Sequence, residues 1–134
     1  MILRDLGRLD RLIACTKYCF ALCPELGKMG DRHLTIVSDS WTAKAEQIRA
    51  VGGDLVIASV PYREQALSEI LKSGLPLLAL APQRLADVYS DIALIARLVE
   101  ASEEGARIVD TMQAEIRAME QRTRHLSKPR VFCE

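Results

Sequence analysis

Aromatic side chains are scarce in this chain, with one Trp, three Tyr and two Phe in 134 residues. Trp41, Tyr18, Tyr62 and Tyr89 therefore stand out as costly residues in a sequence that is otherwise 49% hydrophobic and 27% charged. Long apolar runs are missing as well. No stretch approaches the roughly 18 apolar residues that a bilayer-spanning helix needs. The opening, Met1 to Asp10, breaks its apolar residues with Arg4, Asp5, Arg8 and Asp10, so it lacks the uninterrupted apolar core of an export signal. If the chain is complete as it stands, a cytoplasmic location is expected; otherwise its signal lies upstream or has been removed.

An excess of either charge is also absent. Eighteen basic and 18 acidic side chains cancel, which leaves no electrostatic footprint for a nucleic acid or an anionic membrane surface. Enzyme signatures are missing too: there is no G-x-G-x-x-G, no P-loop and no nucleophile elbow. The two histidines, His33 and His125, are far apart and have no acidic partner nearby in sequence. His33, just before an expected strand, reads first as a loop histidine, and only second as a catalyst or an axial ligand to a corrin cobalt or haem iron. Nothing fixes the separation of Asp39 and Asp54 as a catalytic pair. No catalytic residue and no resident cofactor are assigned, and an enzyme is not expected.

Four cysteines are present, and Cys15, Cys19 and Cys23 follow one another at steps of four. That spacing is not the paired-thiolate pattern of structural zinc sites. The plainer reading is small buried hydrophobes near a strand end, so no metal site is assigned. The sequence leaves a disulfide open.

What the chain does have is an alternation of short apolar runs and amphipathic stretches. A short helix is expected over Leu3–Leu9, then strands at Arg11–Thr16 and Thr35–Ser38. Ala43–Val51 reads as a helix with Ala45 and Ile48 inward, closed by Gly52-Gly53. Asp54–Val60 is the clearest strand, and its nearly continuous apolar run suits a strand covered on both faces. Arg63–Ser73 is helical with Leu67, Ile70 and Leu71 on one face, ended by Gly74 and Pro76. Leu77–Leu80 gives another strand. Strands alternating with helices build a parallel sheet, so the fold class is α/β, a Rossmann-like lobe.

The last third is helical throughout. Val88, Ile92, Ile95 and Val99 mark the inner face of a helix over Arg84–Ala101. Ser102 is expected as the N-cap of a second helix, with Glu103 and Glu104 at the positive end of its dipole. Its stripe of Val109, Met112, Ile116 and Met119 runs to about Leu126, a rod of about 25 residues and about 37 Å. The basic run Arg117, Arg122, Arg124 and His125 reads as complementing the dipole rather than as a phosphate site. Pro129 and Arg130–Glu134 then read as the opening of a further strand. The expected division is an α/β lobe over 1–101, a long spine helix over 102–128, and over 129–134 the start of a second lobe.

Five stretches together resemble a known family: Leu12-Ile13-Ala14-Cys15-Thr16-Lys17-Tyr18, Val37-Ser38-Asp39-Ser40-Trp41, Glu46-Gln47-Ile48-Arg49-Ala50, Asp54-Leu55-Val56-Ile57-Ala58 and Lys128-Pro129-Arg130-Val131-Phe132. In order and spacing they are similar to landmarks of the helical-backbone (class III) substrate-binding proteins of ABC importers. Those proteins carry vitamin B12, haem and iron siderophores, and the B12-binding members are the most similar. The likeness covers nearly all of this chain and about the amino-terminal half of the family's length. It implies a two-lobed clamp, two α/β lobes joined by one long helix, with the ligand in the cleft between.

The same resemblance implies the site. An aromatic after the first strand and a Trp near the second line the cleft of B12-binding members, and Tyr18 and Trp41 fall at those places. Flat aromatics suit a broad, partly apolar corrin. Glu46 matches the acidic residue that docks on arginines of the permease, although an exposed glutamate near a helix N-terminus needs no such role. Cobalamin or a related corrinoid is the implied ligand, with haem or an iron siderophore as the alternative, an ABC permease the implied partner, and a periplasmic location the implied compartment. The chain departs from the pattern in having Gly52-Gly53 before Asp54 where the family has Lys-Pro. It also has Cys19-Phe20-Ala21-Leu22-Cys23-Pro24 in place of an acidic-aromatic-proline turn. A competing reading is a non-catalytic module that forms a homodimer through the stripe of the long helix or by swapping the terminal strand.

Overall fold

Helix α1 covers Ile2–Asp5 and stops at Gly7, whose φ of +67° is the left-handed conformation that glycine adopts without penalty. In the computed structural model of the chain, residues 2–28, 34–37, 42–59 and 64–132 are described. The helix expected over Leu3–Leu9 is thus only its first half. A 3-10 turn over Leu9–Arg11 takes the place of Arg11, the first residue expected in strand, and strand β1 is Ala14–Thr16. A helix not foreseen from the sequence follows at once: α2, Lys17–Leu22, with a 3-10 turn over Pro24–Lys28 behind it. Thr16 caps it: Thr16 Oγ1 accepts the backbone N–H of Cys19 at 3.5 Å.

Strand β2 (Thr35–Val37) pairs parallel with β1, Cys15 facing Ile36. Strands β3 (Val56–Ser59) and β4 (Leu77–Leu80) form a second parallel pair in which Ile57 faces Leu78. Ile13 touches the place a side chain on Gly53 would fill, 3.2 Å from its Cδ1. The two pairs therefore approach at their amino ends, where a glycine leaves room.

Helix α3 (Ala45–Ala50) follows β2, and α4 (Glu64–Lys72) joins β3 to β4. The two helices cap each other. Glu69 Oε2 of α4 accepts the N–H of Ala45 at 3.0 Å at the start of α3. Arg49, near the end of α3, donates to the carbonyls of Ser73 and Lys72 at 3.1 and 2.8 Å. The orphan groups of both helix ends are thereby met by charged partners. The buried face of α4 is Ala66 and Ile70, whereas Leu71, expected inside, is 59% exposed. Strand β3 is also less covered than its apolar run suggests: Ala58 is buried, but Ile57 on the opposite face is 38% exposed.

Helix α5 spans Leu85–Leu98 and buries Ile92, Ile95 and Ala96; the carboxylate of Asp87 caps it by accepting the N–H groups of Gln83 and Arg84. Leu6, Ile95, Ala96 and Ala101 form the main core, with Leu78 and Leu80 of β4 packed against it. Removing a Leu6-sized side chain from water contributes about 1.5–3 kcal/mol. Helix α6, Ser102–Thr123, doubles back along α5. Its N-cap is Ala101, with no side-chain cap, in place of the expected Ser102. The chain turns through Glu100 at φ +55° and pins Ala101 in the core, and the helix starts one residue earlier than expected. Residues 127–132 carry no regular structure, with Val131 and Phe132 72% and 89% exposed, so the strand expected from Arg130 does not form there. A strand needs a neighbour to hydrogen-bond with, and among the described residues none pairs with 130–132.

Candidate functional site

Parallel pairing puts the carboxyl ends of β1 and β2 on one side, and those of β3 and β4 likewise. In open parallel sheets that carboxyl edge is where ligands settle, because chain reversals there leave a crevice edged by helix N-termini. The residues leaving the edge are Lys17 and Tyr18 after β1, and Ala81, Pro82 and Gln83 after β4, all exposed. Those leaving β2 and β3, residues 38–41 and 60–63, lie outside the described residues.

Tyr18 occupies the first turn of α2, held there because Thr16 starts the helix directly at the strand end. Its side chain is 54% exposed, and Lys17 Nζ stands 5.1 Å from the ring centroid. A cation over one ring face leaves a flat aromatic with a polar tip displayed at the edge. Such a surface can stack on a broad planar ligand, and the phenol oxygen can donate, accept or approach a metal. Trp41, the other expected wall residue, lies outside the described residues, as do His33, Asp39 and Tyr62.

Glu46 lies in the first turn of α3 and is exposed. Beside it an open hollow of about 610 Å³ runs between residues 42–44 and the outer face of α4, where Glu64, Glu69 and Lys72 are polar walls. Lys72 Nζ closes on Glu69 Oε1 at 3.0 Å. The hydrogen bond from Ala45 and the bond to Lys72 hold the Glu69 carboxyl below the usual carboxylate range. A hollow of this kind offers charge to a protein surface and little to an apolar ring.

Helix α6 packs along α5. With 22 residues against 14 in α5, it outruns its partner by about eight residues, roughly 12 Å. Gly105 is its one fully buried residue; Val109, Met112 and Ile116 are half-buried and Met119 is 55% exposed. The basic residues Arg117, Arg122, Arg124 and His125 are all exposed at the far end.

Sequence reasoning took Cys15, Cys19 and Cys23 as small hydrophobes, and the first and last are buried in a cluster with Leu26 while Cys19 packs against it. Burial first, then the nearby Cys19 and Cys23, push the Cys15 thiol up. Among the described residues no three His, Cys, Asp or Glu side chains are placed to share a metal ion. Nor, among them, is any helix long and apolar enough to cross a membrane.

The shape of this lobe is shared with solved binding proteins. CeuE of Helicobacter pylori in a Ni-His complex superposes with a TM-score of 0.79 at 20% identity, over 95% of this chain and 42% of that one. The periplasmic heme-binding protein RhuT of Roseiflexus sp. RS-1, in apo form, gives 0.74 at 25% identity, over 96% and 48%. The periplasmic heme-binding protein BhuT with two hemes gives 0.72 at 19% identity, over 91% and 46%. This chain thus spans less than half the length of each. No curated protein sequence matches it. The family pattern described as periplasmic binding protein matches residues 1–133, nearly every position from β1 through α6. The chain therefore belongs to the periplasmic binding protein family, a family of binding proteins and not of enzymes.

Proposed function

We propose that this chain is the amino-terminal lobe of an ABC-importer binding protein that captures a flat metal chelate, a cobalamin-like corrinoid, against the carboxyl edge of its strands. The observation that carries the reading is Tyr18, displayed more than half exposed at the start of α2 where β1 ends. Trp41 is the second wall in this reading, reached from the end of β2. Residues 1–101 form the lobe, 102–128 the spine, and 129–134 lead towards a second lobe that closes the cleft. Half a cleft leaves much of a large ligand in water, so a second lobe or a second chain is needed for full affinity. In the latter case a homodimer forms, through the Val109–Met119 stripe of α6 or by exchange of the terminal segment. The loaded protein works outside the cytoplasmic membrane and docks on a permease through Glu46.

A second ligand, haem, is favoured by two of the similar structures, which are of heme-binding proteins. Both ligands are planar macrocycles around a metal, and the phenol of Tyr18 suits either. Parallel absorbance titrations with cyanocobalamin, haemin and a ferric hydroxamate siderophore separate the readings. Saturable binding of cyanocobalamin in preference to haemin is expected. Preference for haemin moves the assignment to the second ligand. Binding of the siderophore alone overturns the planar-chelate reading.

A further inference from the structure

Helix α6 has two apolar flanks. One packs on α5, where Gly105 meets Ala96. The other runs beside it at steps of four, three, four, three and four: Ile108, Met112, Glu115, Met119, Arg122 and Leu126. That spacing keeps one stripe on one side of a helix. Its first two residues line an open groove of about 390 Å³, edged by Asp5 of α1 and by Glu104 and Arg107. Its last three lie where α6 outruns α5. The backbone N–H of Leu126 donates to the Thr123 carbonyl at 3.0 Å, which carries the helical turn on to that residue. Met119 and Leu126 are 55% and 56% exposed, and Glu115 and Arg122 are exposed too. Among the described residues neither of these two charges has an ion-pair partner.

The stripe is complementary to itself when turned end for end. With Met119 set against its own counterpart in an antiparallel pair, Met112 faces the partner's Leu126 and Glu115 faces the partner's Arg122. Each of these contacts then occurs twice about a two-fold axis. Parallel pairing would set Glu115 against the partner's Glu115 and Arg122 against the partner's Arg122, so charge selects the antiparallel arrangement.

We propose that the occupant of this stripe is a second copy of the chain, seated antiparallel along α6 with Met119 at the two-fold axis. The pairing gives a definite form to the second chain invoked above, and rests on that reading for its purpose though not for its formation.

The central methionine pair and the two Met112–Leu126 contacts cover apolar side chains that a lone chain leaves partly in water. Methionine adapts well to an uneven seam. One helix flank on each side is a small interface, at the low end of those that hold two proteins together. The pair therefore forms and parts with concentration, and the two Glu115–Arg122 contacts set its direction.

The test is sedimentation equilibrium of the purified chain, without ligand, from about 10 μM to about 1 mM. A concentration-dependent equilibrium of monomer and dimer is expected. Glu115→Arg and Arg122→Glu each turn both attractions into repulsions, and each should weaken association at least about tenfold. A chain carrying both changes regains the pairs with their signs exchanged, and should associate within about threefold of the original. Both residues are exposed, so the reversals test the pairing and not the fold. A chain that stays monomeric to the highest concentration, or a double variant that does not recover, would overturn the proposal. So would a dimer indifferent to either reversal, because another surface would then hold it. Ligand binding is scored separately: a dimer that takes no planar chelate supports the pairing and removes the ligand reading alone, and a monomer that binds one does the reverse.

Discussion

Gly105 of α6 lies so close to Ala96 of α5 that a methyl group placed on it would overlap the Ala96 methyl. Both residues are buried, and this approach sets the distance between the two long helices. Gly105→Ala should therefore destabilise the fold by about 1–3 kcal/mol through overpacking, outweighing the gain of up to about 1 kcal/mol in helix propensity. Urea unfolding measures the loss. Adding Ala96→Gly should restore part of it, since the two positions share one contact; no recovery would place the strain elsewhere.

The turn between these helices is held by Arg8, which reaches across the fold to donate from Nε to the Val99 carbonyl at 3.1 Å and from Nη2 to the Glu100 carbonyl at 2.9 Å. Arg8→Ala should cost about 1.5–3 kcal/mol, the range for hydrogen bonds to a charged group. Glu100→Gly should act in the opposite sense, raising stability by about 1 kcal/mol, because φ +55° suits glycine and strains glutamate. The ion pair it gives up, Arg11 to Glu100 at 3.7 Å, is exposed and contributes little. Thermal melts of both variants check the pair of signs.

Acid should loosen the α3–α4 unit. The Glu69 carboxyl is held below the usual carboxylate range by the Ala45 N–H and then by Lys72. A carboxyl whose folded value is depressed adds stability that is complete above its unfolded value and is lost as pH falls through the folded one. Glu69→Gln should therefore lower stability at neutral pH and flatten the acid limb of a stability profile. An unchanged acid limb would show that Glu69 is not the group being titrated.

Glu46 is exposed in the first turn of α3, so Glu46→Ala should leave both stability and ligand affinity unchanged. In a permease-docking assay with the importer reconstituted in vesicles, the same variant should bind more weakly. Loss of ligand affinity instead would remove Glu46 from the docking role.

The alternation of strand and helix was readable because the patterns were strong. Val88, Ile92 and Ile95 keep a helical step, and Val56–Ser59 and Leu77–Leu80 are short apolar runs between glycine and proline signals. Helix α2 was not read, because Cys19-Phe20-Ala21-Leu22 offers only one turn and its cap, Thr16, is also the last residue of a strand. Ser102 looked like a cap by residue type, but burial of Ala101 beside Leu6 and Ile95 decided the boundary, and that contact comes from the other end of the chain. Leu71 and Ile57 looked internal by hydropathy, yet their exposure depends on which faces the helices cover. At the candidate site, Tyr18 and Glu46 came from likeness to a family. The exposure of Glu46 was expected of a helix N-terminus, whereas that of Tyr18 could not be foreseen, since it is set by where β1 ends.

The most direct measurement is a calorimetric titration of the chain, at high protein concentration, with cyanocobalamin, repeated on Tyr18→Ala. Saturable heat at one ligand per two chains is the predicted result, with affinity at least about tenfold weaker in the variant, the loss of roughly 1.4 kcal/mol expected from one stacked ring. Tyr18→Ala should unfold at the same temperature as the unaltered chain, because the ring is more than half exposed. Saturable binding that is indifferent to Tyr18, or no heat with any planar chelate, would contradict the account of the carboxyl edge as a ligand wall.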